Sequence, residues 1–351
     1  MTTQVHVQPY NQAAGGIGRR PRIYANSRQY VTETRMVEVN GVARPLNLVA
    51  NSVLTTREWE RFDTTVYEMQ RLRMNAVADL RSRDLLNKLP SFGILSDTWR
   101  VSTEKRLATA QMDPRSAVHR DRAEKHEQGT PVPIIYSDYE IGWRELEASR
   151  LQGTPLDTVE ATETTQSVVE KAEYTLFNGD TQIVVNGQTV VGYLTVTGRT
   201  TGTASSFGGG DFGTITNIYS TFQGAIAAMA AKRFYGPFVA YVSTTQYHQM
   251  NAVYTDGSGQ SAKMRVMENI DQIVDIKEMQ TDFLADAAIV LVQMTSDVVE
   301  LTTVNGFDAP QNRETNHALD NTFLGRVMMV AVPRIKVNSA GNAGICHITG
   351  A

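Results

Sequence analysis

The chain predicts an α+β fold, with largely antiparallel strands and helices laid on the sheets, and three features carry that expectation. The first is a passage at 134–194 that reads strand, loop, one long acidic helix, a glycine stop, then strand. The second is a series of apolar runs of strand length, PFVAYVS, AIVLV, DVVELTTV and RVMMVAVPRIKVNS. The third is Asn186-Gly187 between IVV and TVVGYL, the dipeptide that tight hairpin turns favour.

Taken in order, residues 1–50 read as an arm. Asn, Gln, Gly, Pro and Arg dominate there, and six arginines in the first fifty residues (Arg19, Arg20, Arg22, Arg28, Arg35, Arg44) face only Glu33 and Glu38. Such a segment buries too little apolar surface to offset its ordering entropy alone. Residues 55–75 form an amphipathic helix by spacing, with Trp59, Phe62, Val66 and Met69 on one stripe. Residues 76–91 carry mixed signals and end at Pro90. Residues 92–133 begin with strand-like Trp99 and Val101 and then hold few large apolar groups and many charges of both signs. The segment is too long for an ordinary connection, and a projecting hairpin that lies on a neighbouring molecule fits it.

The long helix has marked ends. Thr154 suits the N-cap, Pro155 the first helical position, Asp157 the positive end of the dipole, and Asn178-Gly179 a left-handed stop. Leu156, Val159, Val168, Val169, Ala172 and Leu176 make its apolar stripe. Its acids (Asp157, Glu160, Glu163, Glu170, Glu173, then Asp180) meet one base, Lys171. At ~1.5 Å per residue it would run roughly 35 Å. Beyond it, 205–213 reads as a flexible glycine loop, 214–236 as a helix ending at Gly236, 244–254 as a short helix and 255–262 as a loop tip.

Composition narrows the function. With 41% hydrophobic and 20% charged residues and a net charge of -4, the chain is globular and lacks the basic excess of a dedicated nucleic-acid binder. One cysteine, Cys346, rules out an intrachain disulfide framework. No apolar run approaches a membrane span, and the polar opening residues lack a signal-peptide core.

Chemical motifs are missing. There is no phosphate loop, no C-x-x-C and no H-E-x-x-H; Gly15-Gly16-Ile17-Gly18 follows no strand, His119 and His126 alone do not make a metal site, and Cys346 beside His347 reads as a buried apolar residue. No catalytic, cofactor-binding or metal residue is expected, and the chain does not read as an enzyme.

Arg144, Glu145, Leu146, Glu147, Arg150 and Gly153 precede the helix, Phe177, Asn178 and Gly179 end it, and Gly192-Tyr193-Leu194 opens the next lobe. With these residues the ordered set of elements, rather than any single motif, resembles the major capsid proteins of tailed double-stranded DNA bacteriophages, in the superfamily that includes encapsulin shells. Glu147 and Gln152 depart from the family pattern. The resemblance implies an N-terminal arm (1–54), the start of a peripheral lobe with its amphipathic helix (55–91), an extended loop (92–133), a peripheral lobe with the spine helix (134–180), an axial lobe (181–295) and C-terminal strands returning to both lobes (296–351).

It also implies a structural protein that assembles with itself, as pentamers and hexamers, into an icosahedral shell around packaged double-stranded DNA. The shell would be built in the bacterial host cytoplasm and end in the virion, with separate scaffolding, portal and cement proteins as further partners and no cofactor or membrane. An encapsulin-like compartment enclosing protein cargo and a soluble α+β enzyme are the alternatives; the polar arm favours the virus over the compartment. Candidate intersubunit contacts are Arg19, Arg20, Arg22, Arg100, Lys105, Arg106, Arg115, Arg120, Arg122, Lys125, Asp113 and Glu124, with Asp97, Glu104, Asp121 and Glu127 also in the charge-balanced loop. Glu163, Glu170 and Glu173 are candidates for an inward helix face that repels DNA, against the plainer reading of a solvated face. Lys105 and Lys125 are the lysines available for a Lys–Asn isopeptide weld, though the motif is diffuse.

Overall fold

The structure, a computed structural model, describes residues 33–39, 42–48, 75–102, 125–142, 144, 148–149, 151, 159–254, 259–315 and 323–351. The expected helix at 55–75, the Thr154 cap and most of the arm lie outside the described residues.

Strands β1 (Glu33–Val39) and β2 (Val42–Leu48) pair antiparallel, with Val39 opposite Val42 and only Asn40-Gly41 between them. The sequence reading of the arm assigned no hairpin here, although Asn-Gly is a dipeptide that tight hairpin turns favour. Helix α1 (Ala76–Ser82) follows, then β3 (Leu86–Leu89). Strands β4 (Ser96–Ser102) and β5 (Lys125–Pro131) form the expected hairpin, in register from Ser96↔Pro131 to Ser102↔Lys125. After β6 (Ile135–Ile141) comes the long helix, α2 (Val159–Asn178).

Helix α2 buries Val168, Val169, Ala172 and Leu176, as its stripe predicts, whereas Val159 is exposed. Its buried threonines, Thr165 and Thr175, satisfy their hydroxyls on the carbonyls of Ala161 and Lys171 one turn back. At the end Gly179 has φ +71°, the left-handed stop the sequence announces. The last helical carbonyls are then taken by a segment further along the chain: the N–H groups of Tyr193 and Leu194 donate to Leu176 and Phe177, at 3.0 and 2.8 Å. The backbones touch so closely there that a Cβ on Gly192 would lie 2.4 Å from the Phe177 carbonyl oxygen. The helix stop and the Gly192-Tyr193-Leu194 step are therefore one device.

Strands β7 (Asp180–Val185) and β8 (Gln188–Val190) turn at Asn186-Gly187, both with positive φ (54° and 75°) as a type I′ turn requires. Strand β9 (Thr200–Thr203) leads into a 3-10 turn, Ala204–Phe207, and helix α3 (Ile215–Ala231). The connection is not the flexible loop its glycines suggest. Thr203 caps the 3-10 turn, Gly208 is left-handed, and Gly209 and Gly224 sit against Thr221 and Phe207 with no room for a Cβ.

The remaining elements are β10 (Phe238–Ser243), α4 (Thr244–Met250), α5 (Ala262–Asn269), β11 (Ile273–Met279), β12 (Ala288–Gln293), β13 (Val299–Val304), β14 (Gln311–Thr315), β15 (Phe323–Met329), β16 (Val332–Ile335) and β17 (Ile345–Thr349). Helix α5, capped by Ser261, starts at the last residue of the expected loop tip and was not itself expected.

A five-stranded sheet runs β11-β10-β12-β17-β9, and three-stranded sheets run β16-β13-β3 and β14-β15-β6. Pairing is antiparallel except at β10–β11, β13–β3 and β17–β9, in line with the predicted class. Every residue of β10 and β12 is buried, which is why both read as unbroken apolar runs. Alternation along β10 sends Tyr241 toward α1, where its hydroxyl meets Asp79 at 3.1 Å. The opposite face carries Ala240, Leu291 and Cys346 in register. A smaller core of Leu89, Val190, Val304, Phe307, Val330 and Val332 lies beside the root of the β4–β5 hairpin, with Phe92, Ile94 and Val132 packed on it.

Candidate assembly surfaces

The hairpin β4–β5 is fastened to its own chain at the root. Asp97, 8% exposed, accepts from Asn87 Nδ2 (2.8 Å) on β3 and from Thr302 Oγ1 (3.0 Å) on β13. Arg334 on β16 lies 3.4 Å from the same carboxylate, pairs with Glu300 at 3.1 Å and covers the Trp99 ring at 4.8 Å. Lys336 adds a second cation to Glu300 at 2.9 Å. On β5, Gln128 accepts from Trp99 Nε1 (3.2 Å) and from the Val337 N–H (3.3 Å), and donates to the Val337 carbonyl (3.2 Å). Asp97 is therefore not one of the loop charges free to reach another subunit. Composition alone groups it with them, because it cannot separate a root residue from a tip residue.

Further along the hairpin the charges are exposed. Arg100 and Lys125 are both solvent-facing, and Arg100 stands opposite the exposed Glu127. Arg19, Arg20, Arg22, Lys105, Arg106, Asp113, Arg115, Arg120, Arg122 and Glu124 lie outside the described residues. Sequence reasoning missed the apolar groups around the root: Leu95 is 68% exposed, Tyr136 59% and Ile134 42%. Leu95 directly precedes β4, and Ile134, three residues after β5, directly precedes β6. Arg326 on β15 covers Tyr136 and holds Asp138 through two hydrogen bonds, of 2.5 and 2.7 Å. That pairing keeps the Asp138 carboxyl below the usual carboxylate range.

The acids of α2 differ in exposure. Glu160 and Glu163 are exposed, and Glu170 is half-buried with Gln166 donating to it at 2.7 Å. Glu173 is a correction: it is wholly buried and accepts from the N–H groups of Ala76 (3.2 Å) and Val77 (3.0 Å) at the start of α1. It cannot meet a nucleic acid, because its position falls among Val169, Ala172 and Leu176 on the buried stripe. Burial raises its carboxyl to about 7, against the lowering pull of the Val77, Ala76 and Asn75 N–H groups and the Lys277 charge.

No group of three or more His, Cys, Asp or Glu suited to a metal is found among the described residues, and no described helix is long and apolar enough to cross a membrane. Burial pushes the Cys346 thiol up to about 12, so it is no nucleophile at neutral pH.

Comparison with known proteins agrees with this geometry. Residues 47–348 match the family described as "Family of unknown function (DUF6260)". The type 1 encapsulin shell protein EncA of Myxococcus xanthus (strain DK1622) is 27% identical over 126 residues, which is 35% of this chain and only 39% of that protein. Among solved structures, the virus-like particle from Pyrococcus furiosus aligns with TM-score 0.56 at 14% identity, covering 83% of this chain and 98% of that one. The capsid of Myoviridae phage XM1 aligns with TM-score 0.56 at 13% identity over 76% and 89%, and the capsid of an empty GTA particle with 0.53 at 11% over 79% and 91%. These relatives are structural shell proteins rather than enzymes. The chain belongs to the DUF6260 family, and its fold is the capsid-like shell fold shared by phage capsids and encapsulin-type particles.

Proposed function

We propose that the protein is the major capsid protein of a tailed double-stranded DNA phage, self-assembling as pentamers and hexamers into an icosahedral shell. The observation that supports this most is the near-complete coverage of two particle-forming chains, 98% and 89% of their lengths, by one continuous fold. In this reading 1–54 is the arm and 92–133 the extended loop, whose fixed root carries its outer part onto a neighbour. The peripheral lobe takes 55–91 and 134–180, the axial lobe 181–295, and 296–351 returns to both. Arg100 and Lys125, with Arg19, Arg20, Arg22, Lys105, Arg106, Asp113, Arg115, Arg120, Arg122 and Glu124, would contribute many salt-screened ion pairs between subunits. Leu95, Ile134 and Tyr136 would supply apolar contact at the hairpin root. Glu163, joined by Glu160 and the half-buried Glu170, would hold the wall away from packaged DNA.

The match to EncA supports a second reading, a compartment enclosing protein cargo. The contents decide between them. Particles isolated from the native source, treated with nuclease and then opened, should release protected double-stranded DNA. Release of a defined protein with no nucleic acid would favour the compartment, and failure to form particles would refute both.

A further inference from the structure

Helix α1 has seven residues, too few to sustain a helix without outside contacts. Its N-cap residue, Asn75, makes no side-chain cap bond and instead donates to the Glu278 carbonyl of β11 at 3.2 Å. The open N–H groups of Ala76 and Val77 are taken by Glu173, reaching across from α2. Asp79 accepts from the Tyr241 hydroxyl of β10 at 3.1 Å and pairs with Lys277 of β11 at 3.0 Å and with Arg83 at 3.1 Å. Only Arg83, Asp84 and Leu85 separate α1 from β3, and that turn is closed. Asp84 is left-handed (φ 57°), its N–H donates to Arg81 at 3.2 Å, and the Leu85 N–H donates to Leu80 at 3.0 Å. Strand β3 is then held along β13, where the N–H groups of Leu301 and Asn305 donate to Leu85 and Leu89 at 2.8 and 3.1 Å. From β3, Asn87 donates to Asp97 at 2.8 Å, at the root of the β4–β5 hairpin.

We propose that residues 75–89 are a strut between α2 and the root of the β4–β5 hairpin. Glu173 fixes where α1 begins, and β3, continuing from α1 through a closed turn, sets Asn87 against Asp97. Loosening either end loosens the other, because coupling between two sites is reciprocal. The strut ties the set of the hairpin to the position of the long helix, so strain placed on the hairpin by a neighbour reaches the body of the subunit. It rests on the proposed function only in treating the hairpin as an assembly element. The coupling itself lies within one chain, and a chain that forms no particle can still show it. A second route from α2 to the hairpin runs through β8, where Gln188 lies against Gly129 of β5, and the experiment has to separate the two.

The test is amide hydrogen exchange of the full chain and of Glu173→Gln, whose amide keeps one acceptor oxygen and turns a donor toward the second N–H. Exchange in 76–82 should rise by about tenfold, the size of a lost helix cap. Exchange in 96–102 and 125–131 should rise severalfold, with 288–293 of β12 unchanged. Asn87→Ala removes the far contact of the strut. In that background Glu173→Gln should still raise 76–82 and leave the two hairpin strands no further changed. A rise confined to 76–82, a rise shared equally by β12, or a hairpin response that survives Asn87→Ala would overturn the strut, the last in favour of the β8 route. Should Glu173→Gln not fold, Asp97→Asn runs the coupling in reverse. Protection of 76–82 should fall severalfold in that variant, and unchanged protection there refutes the strut.

Discussion

Replacing Asp97 with alanine tests whether the hairpin root is held as described. The substitution leaves Asn87 Nδ2 and Thr302 Oγ1 without the acceptor they now reach at 2.8 and 3.0 Å, and removes one of the two carboxylates beside Arg334. Hydrogen bonds to a charged group contribute about 1.5–3 kcal/mol each. Arg334 keeps Glu300, and the cost of burying the Asp97 charge disappears, so the net loss should be about 2–4 kcal/mol. At roughly 2–4 °C per kcal/mol for a domain of this size, the unfolding midpoint should drop by about 5–15 °C. Asp97→Asn, which keeps one acceptor oxygen, should lose about half as much. Calorimetry gives the midpoint, and amide exchange on peptides spanning 96–102 and 125–131 gives the locality. A loss below about 0.5 kcal/mol, the range of ordinary surface changes, would refute the clamp. So would exchange that rises everywhere except in these two strands.

Gly192→Ala should destabilise by about 1–3 kcal/mol or more, since its Cβ would clash with the Phe177 carbonyl and the Gly179 backbone N, and chemical denaturation reads the change directly. Arg326→Ala should cost at most about 1 kcal/mol despite its two short hydrogen bonds to Asp138, because that pair is exposed; a double-mutant cycle with Asp138→Ala measures it. Leu95→Asp should prevent particle formation while moving subunit stability by less than about 0.5 kcal/mol, seen by sedimentation beside calorimetry. Cys346 should resist thiol reagents at pH 8 in the native protein and react only after denaturation.

Much of this was legible in the residues. The runs at β10 and β12 are apolar throughout because both faces are covered, and Asn186-Gly187 marks its turn because both positions need positive φ. The stop at Gly179 follows from the same requirement. Other features need tertiary information. Asp97 looks like any loop charge until β3, β13 and β16 arrive around it from elsewhere in the chain. The glycines at 208–210 suggest freedom, yet Gly209 is small because α3 presses on it. Two signals were available and unused. Asn40-Gly41 has the same turn chemistry as Asn186-Gly187, and Glu173 is four residues after Val169 and three before Leu176, on the stripe that had to be buried.

An image reconstruction of the purified chain by electron cryo-microscopy tests the central claim most directly. The account expects closed hollow particles in which the β4–β5 hairpin leaves its own root unmoved and lies across an adjacent subunit. A population of separate 38.8 kDa chains, or a hairpin folded back over its own sheets, would contradict it.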